Sequence, residues 1–153
     1  MGWNGADLFV QGGLDALPGG FAAGSATSTR FEGFPVAAAV RGGVLHVHFR
    51  GDALGEVPEA LAARSGAARA VAACYAGVAD TYVLEVAEAG VPTRLLVVSA
   101  GEAVVDEGEP LPVEDGERDD PEEWLFVVVE RLTGTAVPAL PGLAETWTEL
   151  RVV

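Results

Sequence analysis

The 153-residue chain contains no lysine and a single cysteine, Cys74. Without lysine there is no P-loop lysine, no Schiff-base lysine for pyridoxal phosphate and no lysine general base. One thiol forms no intrachain disulfide and agrees with a reducing compartment. Positive charge is scarce: nine arginines stand against 23 Asp and Glu, for a formal net charge of -14. A field this negative repels nucleic-acid phosphates and anionic membrane surfaces, so neither is an expected partner. No apolar run reaches the ~18 residues of a membrane-spanning helix. Residues 1–7 lack the basic and apolar regions of a signal peptide, so a cytoplasmic location is expected. Neither Gly-x-Ser-x-Gly nor His-Glu-x-x-His occurs. The glycines of residues 20–24 follow no strand and form neither a phosphate loop nor a dinucleotide fingerprint. No cofactor is expected.

What is present is a 50% hydrophobic chain of single-domain length, with residues 1–153 read as one domain. Residues 6–10 read as a short strand, and 11–33, rich in Gly, Ala, Ser and Thr, as loop. Two apolar runs then flank Arg41-Gly42-Gly43. Gly42-Gly43 suits a type I′ turn, because both positions need positive φ. That turn sets Arg41 opposite Val44, Ala39 opposite His46 and Ala37 opposite His48. One face of the hairpin is then apolar and the other carries Arg41, His46, His48 and Arg50. Residues 56–64 read as a short helix with Pro58 in its first turn and Gly66 at its end. Residues 67–75 fit strand or helix, with strand favoured. Three runs between residues 81 and 106, joined by Gly90 and Gly101, form an antiparallel meander. Asp120, Pro121, Glu122 and Glu123 open a helix that stops at Gly134. Residues 146–153 form a last strand. The expected fold is α+β: an antiparallel sheet of about six or seven strands, hairpin plus meander, with two principal helices packed on one face.

Three groups of residues could carry function. His46 and His48 stand two apart on one strand, about 6.6 Å along the chain, a spacing that can ligate zinc if a third ligand joins them. Asp52, Cys74 and Glu85 are the candidates. Arg41 and Arg50 on the same face oppose a metal, and a polar strand face is the plainer reading. Cys74 sits among small apolar residues and reads as an inert buried thiol. Residues 102–123 hold eleven carboxylates against one arginine. Asp115, Glu117 and Asp119 alternate as in a calcium loop, but Asp120 and Phe126 stand where an EF-hand needs Gly and Glu. This segment is a solvated loop or a docking surface for a basic partner, with Asp106, Glu107, Glu109, Glu114, Asp115, Glu117, Asp119 and Asp120 as contact residues. Trp3, Trp124 and Trp147 read as packing residues.

Residues 82–134 run strand, Gly90, Arg94, strand, Gly101, an acidic Pro-containing loop and a helix closing on Glu130-Arg131-Leu132-Thr133-Gly134. This order resembles small acidic proteins of high-GC, actinobacterial-type genomes, some of which occupy toxin–immunity neighbourhoods. The resemblance implies an immunity-like, non-enzymatic module that binds a basic toxin or effector. Two alternatives are an accessory subunit with an apolar interface and a metal-dependent enzyme or sensor using His46 and His48.

Overall fold

The computed structural model describes residues 4–30, 33–116, 119–134 and 146–153. Nine strands form one sheet: β1 (Asn4–Gln11), β2 (Phe21–Ser28), β3 (Val36–Arg41), β4 (Val44–Arg50), β5 (Ala70–Ala76), β6 (Thr81–Glu88), β7 (Val91–Ser99), β8 (Glu102–Gly108) and β9 (Trp147–Val152). Their spatial order is β2-β9-β3-β4-β1-β5-β6-β7-β8, and every neighbouring pair is antiparallel. The β3–β4 hairpin and the β5-to-β8 meander are local. The first strand joins them by inserting between β4 and β5.

The hairpin has the expected register, with Ala39 opposite His46 and Ala37 opposite His48. Gly42 and Gly43 have φ of 53° and 77°, as a type I′ turn requires. β5 settles residues 70–76 as strand. The helix α1 (Pro121–Thr133) is capped by Asp120, whose side chain accepts from the Glu123 amide at 3.1 Å.

The α+β expectation is overturned. The fold is mostly β: nine antiparallel strands in one sheet replace the expected six or seven, and α1 is the one full α-helix among the described residues. Two elements account for the difference. Residues 56–64 do not form a helix; short 3-10 turns at Gly51–Glu56 and Leu61–Ser65 take that place. Pro58 has no amide to donate to a helical ladder, and Ala60 adopts a left-handed conformation, φ 53°, that interrupts any helix. Residues read as loop contain β2, which lies at the end of the sheet and pairs with β9. Its sequence, Phe-Ala-Ala-Gly-Ser-Ala-Thr-Ser, has no apolar alternation because most of the strand is exposed.

Both faces of the central strands are covered. One packs Leu8, Leu45, Val47 and Phe49 against Leu61 and Ala62 of the 3-10 turns. Phe21 of β2 meets Phe49 of β4 edge-on, with ring centroids 5.6 Å apart. These strands are three places apart, about 14 Å in a flat sheet, so the sheet curls toward this face. The opposite face packs Val71, Tyr75, Leu84 and Leu96 against Trp124, Leu125, Val128 and Val129 of α1. No helix among the described residues is long and apolar enough to cross a membrane.

The turns of the meander contain two alanines in the left-handed region, Ala89 (φ 50°) and Ala100 (φ 51°). A Cβ there is strained, whereas glycine is not. Ala100→Gly should therefore stabilise the protein by roughly 0.5–1 kcal/mol, seen as a higher urea midpoint at unchanged slope. A lower midpoint would show that the turn is unstrained.

Candidate functional site

Asp7 lies in the middle of β1, between His48 on β4 and Ala73 on β5. Its neighbours in sequence, Ala6 and Leu8, point into the apolar core on the other face, which leaves Asp7 on the face of His46, His48 and Tyr75. The carboxylate is fully buried. His46 Nε2 donates to Oδ1 at 2.5 Å and His48 Nδ1 donates to the same oxygen at 2.8 Å. The Tyr75 hydroxyl donates to Oδ2 at 2.5 Å. Gly5 permits this approach, since a Cβ there would stand 3.0 Å from the Tyr75 hydroxyl and from the Phe49 carbonyl.

The proton on His46 can be placed. Arg41 Nη2 lies 3.1 Å from His46 Nδ1, and a guanidinium only donates. Nδ1 is therefore the acceptor, the proton sits on Nε2, and the ring is neutral. Phe9 stacks on this ring at 4.2 Å and Trp147 meets it edge-on at 5.1 Å.

Burial raises the Asp7 carboxyl. The charge of His48 and the hydrogen bonds from His46 and His48 outweigh burial and hold the group well below the usual carboxylate range. Burial lowers His46, against the hydrogen bond and charge of Asp7. Burial, with the charge and hydrogen bond of Asp7, pushes the Tyr75 phenol far up, so it stays protonated and donates. Cys74, on the opposite face, is raised to about 12 by burial and by the charges of Glu85 and Asp7. Its thiolate is not accessible near neutral pH.

His46 and His48 thus share one face, as their spacing implies, but both turn a nitrogen toward Asp7. Of the candidate third ligands, Asp52 is paired with Arg50 at 2.6 Å, and Cys74 and Glu85 belong to the other face. Among the described residues no group of three or more His, Cys, Asp or Glu is disposed to hold a metal ion.

The acidic segment divides into buried and exposed parts. Glu114 is only 8% exposed and grips Arg94, which is 2% exposed, through two bonds: Nε at 2.9 Å and Nη2 at 2.7 Å. Arg94 Nη1 donates to Asp106 at 2.5 Å and to the Glu107 carbonyl at 3.0 Å. Glu114 also accepts from the Leu111 amide at 2.6 Å, and its carbonyl accepts from Trp124 Nε1 at 3.4 Å. Glu114 is therefore a structural clamp, and Asp120 is the helix cap. Glu107, Glu109, Asp115 and Asp119 are exposed, Asp106 is half-exposed at its side chain, and Glu117 and Trp3 lie outside the described residues. Asp115, Asp119, Asp120 and Glu123 line a cleft of about 320 Å³ together with Trp124, Val127 and Arg131.

Sequence reasoning missed Asp7, Tyr75 and Arg94. Asp7 had a signal, a lone acid within the apolar run of residues 6–10. Tyr75 had none, since its donor role depends on β1 and β5 pairing. No protein-family model, curated protein or solved structure matches the chain.

Two stability experiments test this site. Tyr75→Phe removes one donor to a buried anion and should cost about 1–3 kcal/mol by urea denaturation; a neutral result would mean that the carboxylate does not need it. Stability should also fall with pH in two stages. His46 is lowered in the fold, so the unfolded chain takes up its proton first and stability declines below about pH 6.5. Asp7 is also lowered, so its contribution is lost from about pH 4 downward. Urea midpoints measured between pH 8 and pH 3 read both stages, and a flat profile would contradict the assigned charges.

Proposed function

We propose that this protein is a non-enzymatic, cytoplasmic protein-binding module for a basic partner, in the manner of an immunity protein covering a toxin or effector. The observation that carries the reading is the cleft at the start of α1. Four carboxylates, against one cation, Arg131, line it beside the carbon of Trp124 and Val127, which suits an arginine or lysine side chain whose stem packs on carbon and whose head meets the acids. The buried Arg94–Glu114 pair braces this surface through Trp124, because Glu114 holds both the loop amide of Leu111 and the indole of Trp124. The exposed carboxylates also give the charge a direct role in steering encounter. The Asp7 cluster is less suited to a reaction centre: its carboxylate oxygens already accept from the protein's own donors, and none of Asp7, His46, His48 and Tyr75 lines a cleft among those described.

The test is affinity capture from host extract, followed by titration of the purified partner. A basic partner should bind with an affinity that falls as salt rises from about 50 to 300 mM. Asp115→Lys with Asp119→Lys should weaken it about 100-fold, mainly through slower association. Asp120 is left intact because it caps α1. A partner whose affinity ignores both salt and these substitutions would refute the acidic-surface reading.

A further inference from the structure

A second concave site lies on the face opposite the Asp7 cluster and is independent of the protein-binding reading. The 3-10 turn Leu61–Ser65 lies over the meander and leaves a cleft of about 200 Å³ whose walls are mainly carbon, with Leu95 and Pro92 among them. Strand register places Glu85 of β6 opposite Leu95 of β7, and Leu95 opposite Glu107 of β8. Two carboxylates therefore flank one leucine on the same row, from strands roughly 9.6 Å apart. Both line the cleft.

Neither carboxylate has a counter-ion among the described residues. Glu85 accepts only a 3.4 Å bond from the Ala62 amide. Arg94 also borders the cleft, but its guanidinium is committed to Glu114 and Asp106. Arg94 holds the Glu107 carbonyl, so the backbone that carries the second carboxylate is fixed. Ala60, which also lines the cleft, is held in the left-handed region. The cleft is thus mainly apolar and lined by two carboxylates, one on each side of Leu95. Anions are repelled, and the volume is below the roughly 300–1,000 Å³ of sites that take drug-sized ligands, so nucleotides and large cofactors do not fit.

We propose that this cleft binds a short linear aliphatic diamine as its dication, one ammonium on Glu85, the other on Glu107, and the methylene chain across Leu95. Each ammonium makes a charge-assisted hydrogen bond of about 2.8 Å to its carboxylate, and a flexible chain of a few methylenes joins the two along the Leu95 side chain. Burial raises the Glu85 carboxyl above its ordinary value, the sign of an anion that lacks a partner, and an ammonium supplies one.

The experiment uses the full chain and three probes of matched carbon length: 1,5-diaminopentane, 1-aminopentane and 1-pentanol. Amide chemical shifts are followed by heteronuclear NMR at low salt. The diamine should bind about tenfold more tightly than the monoamine, with shifts centred on Ala62, Ala63 and Leu95, and pentanol should produce none. Glu85→Gln and Glu107→Gln should each reduce the diamine to the affinity of the monoamine. Glu102→Gln, an exposed acid on the same edge strand, should leave it unchanged. Equal binding of pentanol would make the cleft a nonspecific apolar hole. An effect of Glu102→Gln as large as that of Glu85→Gln would reduce the binding to diffuse attraction by an acidic surface. Either result overturns the proposal and leaves the partner reading untouched, since none of these substitutions alters the cleft beside α1.

Discussion

The Asp7 carboxylate is the constraint on which the sheet depends. An ionised acid with no solvent exposure is tolerated only when its lone pairs are filled, and here the donors come from two different strands. His46 and His48 belong to β4, and Tyr75 belongs to β5. These are the two strands between which β1 inserts, and they belong to the two locally formed halves of the sheet, the hairpin and the meander. Apolar packing alone specifies such an insertion poorly, because small residues such as Ala6, Ala72 and Ala73 fit more than one register. A one-residue slip of β1 would move Asp7 to the face of Leu45, Val47 and Phe49, where no donor awaits it. The polar cluster therefore contributes register as much as energy, and Arg41 extends it by fixing the His46 tautomer.

Arg94 plays the corresponding part at the other end of the sheet. Its side chain is buried and ties β7 to the end of β8 and to the short 3-10 turn Pro112–Glu114. Removing Glu114 would leave a buried cation short of its best partner, and the loop short of the group that ties Leu111 and Trp124 together. The acidic segment is consequently not a free tether between β8 and α1. Its course is set by one inward-facing pair, and its remaining carboxylates point outward from a fixed base.

Much of this fold can be read from local chemistry. Gly42-Gly43 and the alternation on either side determine the hairpin register. Asp120, Pro121 and Gly134 bound α1, outweighing the β-branched Val127-Val128-Val129. The misreadings have physical causes. β2 is held by backbone pairing to β9, whose paired residues lie 119 to 131 positions away, and its side chains carry no hydrophobic period. The turns at 51–65 look helical in composition, yet Pro58 and the left-handed Ala60 forbid the ladder. The polar hairpin face looks like a solvent face because sequence displays Arg41, His46 and His48 without Asp7, 39 residues earlier, which makes their burial possible. The acidic segment was legible as charge, but the separation of Glu114 from its neighbours was not, since Arg94 is 20 residues away.

The disposition of charge connects these points to function. Arg94 and Arg41, among the few cations of a lysine-free chain, are turned inward to hold Glu114, Asp106 and His46. The buried anions Asp7 and Glu114 match these two cations in number, so the net charge of -14 rests on the remaining, mostly exposed groups. An approaching molecule therefore meets a negative field. That field alone would attract any cation without discrimination. Selectivity needs carbon beside the carboxylates, because a buried stem separates one cation from another. The structure places such carbon in two spots, Trp124 with Val127 on one face and Leu95 with Pro92 on the other. The first is bordered by four acids at the surface and suits the protruding side chain of a large partner. The second lies under a turn, is smaller, and suits a molecule that enters whole.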